Sequence, residues 1–131
     1  MTLAERIRKA PRTYIVGNGG SWANALHMAN DLIACGIRAY TLDPSTLTAT
    51  ANDYGYEHIF SRWLKVFAQE GDLLIALSGS GKSKNILLAV ETAEKIGMQV
   101  EKVFGAERGL SMQDAEECQL WLGHELMRNL K

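Results

Sequence analysis

Apolar residues along the chain alternate between short continuous runs and segments with helical spacing. Runs typical of buried strands lie at 12–16, 38–42, 73–77, 100–104 and 119–122. Segments with the spacing of amphipathic helices lie at 21–34, 46–51, 56–69 and 83–96. This alternation predicts an α/β fold in three layers, a doubly wound five-stranded parallel sheet flanked by helices, with residues 1–131 forming a single domain.

Two loops rich in glycine and serine follow the first and third predicted strands. They read Gly17-Asn-Gly-Gly-Ser21 and Ser78-Gly-Ser-Gly-Lys-Ser83, and each precedes a predicted helix. A helix entered through small residues leaves several backbone N–H groups free, with the positive end of the helix dipole behind them. Both loops are expected at the carboxyl edge of the sheet, so the sequence predicts a site for a phosphorylated ligand there.

Neither loop matches a nucleotide-binding motif. Trp22 stands where a dinucleotide fingerprint has its third glycine, and Ala76 stands where a P-loop has its first. No nucleotide cofactor is therefore expected. Each loop also has a simpler interpretation, a tight strand-to-helix turn for the first and a serine-rich helix cap for the second. The occurrence of both loops in one short chain favours the anion site.

Composition narrows the classes of partner. Among 131 residues, 14 Lys and Arg stand against 15 Asp and Glu and are spread along the chain, so nucleic-acid binding is not expected. The opening decapeptide is charged and no apolar run is long enough to span a membrane, which predicts a cytoplasmic protein without a membrane partner. Cys35 and Cys118 lack metal-ligand spacing and are expected to be reduced.

Four short motifs occur in unbroken order between residues 12 and 122. They are Gly17-Asn-Gly-Gly-Ser21, Leu26-His-Met-Ala-Asn-Asp31, Ala51-Asn-Asp-Tyr-Gly-Tyr-Glu-His-Ile-Phe-Ser-Arg62, and Glu70-Gly-Asp-Leu-Leu followed by Ser78-Gly-Ser-Gly-Lys-Ser83. Together they resemble the SIS (sugar isomerase) domain family, and within it the phosphoheptose isomerases. The resemblance implies a flavodoxin-like strand order and a homodimer or homotetramer with ligand sites near subunit interfaces.

The resemblance also implies a reaction and a set of binding residues. The reaction would be the aldose–ketose isomerisation of sedoheptulose 7-phosphate or a similar sugar phosphate, a step toward lipopolysaccharide precursors. The phosphate would lie on Ser78, Gly79, Ser80 and Ser83. The residues expected to bind the rest of the sugar are Asn18, Gly19, Ser21, Asn52 and Asp53.

By the same resemblance, His27 and Asp31 correspond to a metal ligand and a catalytic base of the family. Zinc is the expected metal, with both residues as ligands, and His124 is the candidate acid. Asp31 is one methylene shorter than the family's Glu. The alternative is an exposed pair one helical turn apart, with His124 a solvated cap. His58 is expected at the surface.

The carboxyl-terminal part of the chain departs from the family pattern. The family has a C-terminal helix that brings a Gln and a His, eight residues apart, to the site. Here a predicted strand at 119–122 passes into a short tail at 124–131, so that helix is expected to be mostly absent.

Three functions fit the sequence. The favoured one is phosphosugar binding with isomerase activity. The second is a non-catalytic module that binds phosphosugars or associates with the bacterial replication initiator. The third is a structural oligomerisation unit that uses the surfaces around Trp22, Trp63 and Trp121.

Overall fold

The computed structural model describes all 131 residues and contains six α-helices and four β-strands. The helices are α1 (Leu3–Lys9), α2 (Gly20–Ala34), α3 (Pro44–Tyr54), α4 (Ile59–Phe67), α5 (Lys84–Ile96) and α6 (Met112–Leu130). The strands are β1 (Thr13–Val16), β2 (Ala39–Tyr40), β3 (Leu73–Ser78) and β4 (Gln99–Phe104). Short 3₁₀ turns cover Tyr56–His58 and Ala106–Arg108.

The four strands form one parallel sheet in the order β2-β1-β3-β4. This is the flavodoxin-like order without its fifth strand, and the predicted doubly wound α/β fold is confirmed. The chain leaves β1 toward one edge of the sheet and leaves β3 toward the other. The crevice between the carboxyl ends of β1 and β3 is therefore the topological switch point, where open α/β sheets bind ligands.

The predicted fifth strand is wrong. Residues 119–122 lie inside α6, a helix of 19 residues whose N-cap, Ser111, accepts a hydrogen bond from the Asp114 amide. The buried residues of α6 are Ala115, Gln119, Gly123, Leu126 and Leu130. These positions recur every three or four residues, which is the helical period, so a short apolar run within them imitates a strand. The expectation that the C-terminal helix is mostly absent is wrong for the same reason.

The sheet is covered on both faces, as a buried parallel strand requires. Along β3, Leu74 and Ala76 belong to the cluster formed with α4 and α5, whereas Leu73, Ile75 and Leu77 belong to the cluster formed with α1, α2 and α6. All six residues of β3 are buried. Successive side chains of a strand point to opposite faces, which is why a continuous apolar run predicted this strand correctly.

Two glycines at the contacts of α6 differ in how much space surrounds them. Gly105 lies just after β4, and a methyl group at this position would overlap the Cβ of Ala115. Gly123 lies within α6 opposite Met28 of α2, and the nearest atoms to a methyl group there would be 3.7 Å away. The first glycine is required by packing, whereas the second is not.

We expect Gly105→Ala to destabilise the protein by about 1–3 kcal/mol, because the buried Ala115 has no room to move away. Gly123→Ala is the matched control. It fills ordinary van der Waals space in a helix interior, so it should be neutral or stabilise the fold by up to about 1 kcal/mol. Urea unfolding of the two variants measures the difference. Equal stabilities would contradict this packing of α6.

Candidate functional site

A small cavity lies at the carboxyl ends of β1 and β3. Its volume is about 40 Å³ and it is lined by Asn18, Ser21, Leu77, Ser78, Gly79, Ser80, Ser83 and Met112. A volume of this size accommodates about three water molecules, so it suits a phosphate group and not a whole sugar. Six of these residues were predicted for the site, and the fold brings them together around this one cavity.

The serine hydroxyls of the second loop retain donors for a ligand. Ser78 Oγ accepts a hydrogen bond from the Gly81 amide at 2.9 Å, and Ser80 Oγ accepts one from the Lys82 amide at 3.1 Å. Each of these hydroxyls acts as an acceptor within the loop, which leaves its own proton free to donate outward. Ser83 is the N-cap of α5, but its side chain makes no capping hydrogen bond. The loop is therefore not a simple serine-rich helix cap.

A buried glutamine joins α6 to the first loop. Gln119 is 1% exposed, and its Nε2 donates to Ser21 Oγ at 3.1 Å. Its Oε1 accepts from Asn24 Nδ2 at 3.0 Å, and that nitrogen also donates to the backbone oxygen of Glu116 at 2.9 Å. Because these groups are buried or half-buried, the hydrogen bonds hold α6 in one register against α2.

A cluster of two histidines and one aspartate lies farther along the same pair of helices. His27 Nε2 of α2 is 3.0 Å from His124 Nε2 of α6 and 3.4 Å from Asp31 Oδ2. Asp31 is 6% exposed, and its Oδ2 has no hydrogen-bond partner. His27 is exposed but Asp31 is buried, so the two residues do not form the fully solvent-exposed pair considered above. An unpartnered buried carboxylate oxygen is also costly.

The donor set of this cluster fits a divalent metal ion. The three candidate ligand atoms lie within 4.8 Å of one another. Ligand atoms on one tetrahedral ion with bonds near 2.0–2.1 Å are about 3.3 Å apart, close to the two separations measured from His27 Nε2. The orphaned oxygen of Asp31 would gain a partner in such a site.

Several predicted site residues lie outside the cavity lining. Asn52 and Asp53 are exposed on α3, where Asn52 Nδ2 donates to Asp53 Oδ1 at 3.1 Å. Gly19 is exposed at the N-cap of α2 with φ of 55°, a conformation that favours glycine there. His58 pairs with Glu57 at 3.6 Å, as expected of a surface residue.

Three residues at the site were not singled out from the sequence. Gln119 was assigned to a strand, although the helical spacing of buried positions through residues 115–130 could have placed it on α6. Asn85 and Tyr56 both hydrogen-bond Asn18. Tyr56 falls within one of the four motifs, but no sequence pattern pairs it or Asn85 with Asn18, because the three residues meet only through the tertiary fold.

Comparisons with known proteins found a family model and several relatives that match this chain. A model of the SIS domain family matches residues 1–105. The phosphoheptose isomerase of Campylobacter concisus is 42% identical over 116 residues, covering 82% of this chain and 61% of that protein. The phosphoheptose isomerase of Chlorobaculum parvum is 33% identical over 150 aligned positions, covering 95% of this chain and 72% of that protein.

A solved structure is similar along nearly the whole chain. It is the phosphoheptose isomerase of Neisseria gonorrhoeae, with a TM-score of 0.89 and 27% identity over 97% of this chain and 82% of that one. The chain spans about three fifths of the length of several of its curated relatives. Separately, none of the six helices is both long enough and apolar enough to cross a membrane.

We expect Gln119→Met to destabilise the protein by about 1–3 kcal/mol, because Ser21 and Asn24 each lose a hydrogen-bond partner in a buried setting. Gln113→Met, at an exposed position on the same helix, is the matched control and should leave stability unchanged. Chemical denaturation followed by circular dichroism measures both. A Gln119 variant as stable as the control would show that this contact does not hold α6.

Proposed function

We propose a function from one premise, that the chain belongs to the SIS domain family. The protein binds a phosphorylated sugar of the sedoheptulose 7-phosphate type and interconverts its aldose and ketose forms. The relatives at 33% and 42% identity are phosphoheptose isomerases, which supports the proposal. The observation that carries it is that α2 contributes to both features, with Ser21 in the cavity lining and with His27 and Asp31 in the His–Asp cluster.

The spacing along α2 suits an extended sugar phosphate. Ser21 lines the cavity and His27 belongs to the cluster, six residues farther along the helix. Six residues at the helical rise separate them by about 9 Å along the axis. A ligand whose phosphate rests on Ser78, Ser80 and Ser83 would extend its carbon chain along α2 toward the cluster, with Asn18, Gly19 and Ser21 at the phosphate end.

The Asp31 carboxylate and the two imidazoles supply the proton chemistry of the proposed reaction. Asp31 would take a proton from the carbon next to the sugar carbonyl and return it to the neighbouring carbon, so no net proton is gained or lost. His124 would donate a proton to the oxygen that becomes a hydroxyl and recover one from the other oxygen. His27 would orient Asp31 and His124, because its Nε2 lies 3.4 Å from Asp31 Oδ2 and 3.0 Å from His124 Nε2.

Zinc is the metal that we propose for the cluster, held by His27 and Asp31 with His124 within reach. Imidazole and carboxylate are common ligands of catalytic zinc. A bound zinc ion would supply positive charge that stabilises the negative charge developing on the sugar oxygens. The shorter Asp31 in place of Glu is compatible with this role, since its Oδ2 is already 3.4 Å from His27 Nε2.

A homodimer or homotetramer is part of the proposal. Large apolar side chains are exposed near the cluster on α2 and α6, namely Leu26, Ile33 and Trp121, with Trp121 61% exposed. Exposed apolar surface of this kind is typical of contacts between subunits. Asn52 and Asp53, which lie outside the cavity, would then contact a ligand only after assembly or loop movement. The cytoplasmic location and the absence of nucleic-acid and membrane partners stay predictions.

Phosphate binding should depend on the second loop. We expect Ser80→Ala and Ser83→Ala each to weaken binding of sedoheptulose 7-phosphate by about 1–3 kcal/mol, because charge-assisted hydrogen bonds to the phosphate are lost. Titration calorimetry measures this, with Ser45→Ala on the exposed part of α3 as the control. If unphosphorylated sedoheptulose bound as tightly as the phosphate ester, the cavity would not be an anion site.

Turnover should depend on the His–Asp cluster. We expect Asp31→Asn and His124→Ala to lower the rate of sedoheptulose 7-phosphate isomerisation at least a hundredfold, since general acid–base groups contribute about 10²–10⁴. The control His58→Ala should retain the parent rate, because His58 lies outside the cluster. Removal of metal by chelation should lower the rate, and added zinc should restore it.

Two results would contradict parts of this proposal. A parent protein that binds sedoheptulose 7-phosphate without isomerising it, with or without zinc, would be a binding module and not an isomerase. A parent protein that isomerises at the same rate after chelation would exclude a catalytic metal.

A further inference from the structure

Three polar side chains from different segments meet beside the cavity. Asn18 and Asn85 form a reciprocal amide pair, in which each Nδ2 donates to the other's Oδ1 at 2.8 Å. The Tyr56 hydroxyl donates to Asn18 Oδ1 at 2.9 Å. Asn18 follows β1, Tyr56 belongs to the 3₁₀ turn before α4, and Asn85 lies in the first turn of α5. We call these three residues the Asn18 node.

The side chain of Asn18 has one hydrogen-bonding group that is not used within the protein. Its Oδ1 accepts one bond from Asn85 and one from Tyr56, which fills both lone pairs. Its Nδ2 donates one of its two protons to Asn85. Asn18 lines the cavity, and the single N–H that remains is its only unused side-chain group. The side chain can therefore act toward a ligand only as a donor.

We infer that Tyr56 and Asn85 are positioning residues, which hold the Asn18 amide so that it presents this one N–H to an oxygen of the bound sugar phosphate. The inference rests on the proposed function for the identity of that ligand. Without the Tyr56 hydroxyl, Asn85 alone holds the amide, and Oδ1 has a free lone pair that would face an anion as an acceptor. The node thus selects ligand groups that accept hydrogen bonds.

The node also connects the two loops of the site. Asn85 is 2% exposed and lies two residues beyond Ser83, so its amide ties the first turn of α5 to the loop after β1. Tyr56, by contrast, is 54% exposed, and only its hydroxyl engages Asn18. Removing that hydroxyl therefore tests positioning without disturbing the core.

The chain provides a matched control two residues away. Tyr54 is also 54% exposed, but its ring lies 3.5 Å from the guanidinium carbon of Arg62, and its hydroxyl makes no hydrogen bond to the protein. Tyr56→Phe and Tyr54→Phe remove the same atom from equally exposed rings. We expect Tyr56→Phe to weaken binding of sedoheptulose 7-phosphate about 3- to 10-fold, while Tyr54→Phe binds as the parent does.

A double-mutant cycle separates positioning from a direct contact. In an Asn18→Ala background, Tyr56→Phe should cause no further loss of affinity, because Tyr56 acts through Asn18. Additive losses would mean that Tyr56 contacts the ligand by itself, and would overturn the inference. Equal affinities of Tyr56→Phe and Tyr54→Phe would overturn it as well.

A spectroscopic measurement on the ligand-free protein keeps the test independent of the ligand. Side-chain amide resonances of Asn18 should move on Tyr56→Phe and remain in place on Tyr54→Phe, and unmoved resonances in the first variant would contradict the node. If the parent binds neither sedoheptulose 7-phosphate nor inorganic phosphate, the proposed function fails. The Asn18 resonances then still decide whether Tyr56 holds this amide.

Discussion

The packing of α6 against α2 is the contact on which the candidate site depends. This packing places Gln119 in contact with Ser21 and Asn24 at the cavity end of α2. Farther along α2, it places His124 in contact with His27. A buried polar contact of this kind stabilises one register and disfavours others, because a helix shifted by one residue would leave the amide and hydroxyl groups unpaired. The same register that satisfies Gln119 also brings His124 to the His–Asp cluster.

The sheet topology brings the two loops of the candidate site next to each other. In the strand order β2-β1-β3-β4, the chain moves from β1 toward one edge of the sheet and from β3 toward the other edge. The loops after β1 and β3 therefore flank one crevice. Both loops end in helix N-termini, and six of the eight residues that line the cavity between them are serine, glycine or asparagine. Helix α2 starts at this crevice and continues to the His–Asp cluster. One helix therefore links the serine-lined cavity to the His–Asp cluster.

The sequence was sufficient for the parts of the fold that depend on local patterns. The continuous apolar run at 73–77 predicted the buried central strand, and the small residues of Gly17–Ser21 predicted a strand-to-helix loop. The run at 119–122 misled because four residues cannot distinguish a helix segment from a strand; only the longer spacing from Ala115 to Leu130 does so.

Parts of the site could not be predicted from local sequence patterns, because they depend on contacts between residues that are far apart in the chain. The pairing of His27 with His124 joins residues 97 positions apart, and the bonds of Asn18 to Tyr56 and Asn85 span 38 and 67 positions. Such contacts arise from the packing of α6 against α2 and the parallel pairing of β1 with β3, which no single motif specifies. The role of His27 and Asp31 was inferred from resemblance, whereas the burial of Asp31 and the contact of His27 with His124 were visible only in the structure.

The most direct test of the account is a crystal structure of the protein with sedoheptulose 7-phosphate and zinc. We expect the phosphate within hydrogen-bond distance of Ser80 and Ser83, the carbon chain extending along α2, and the ion between His27, Asp31 and His124. A phosphate bound elsewhere, or a sugar whose carbonyl end points away from Asp31, would contradict the claim that α2 joins the two halves of one site.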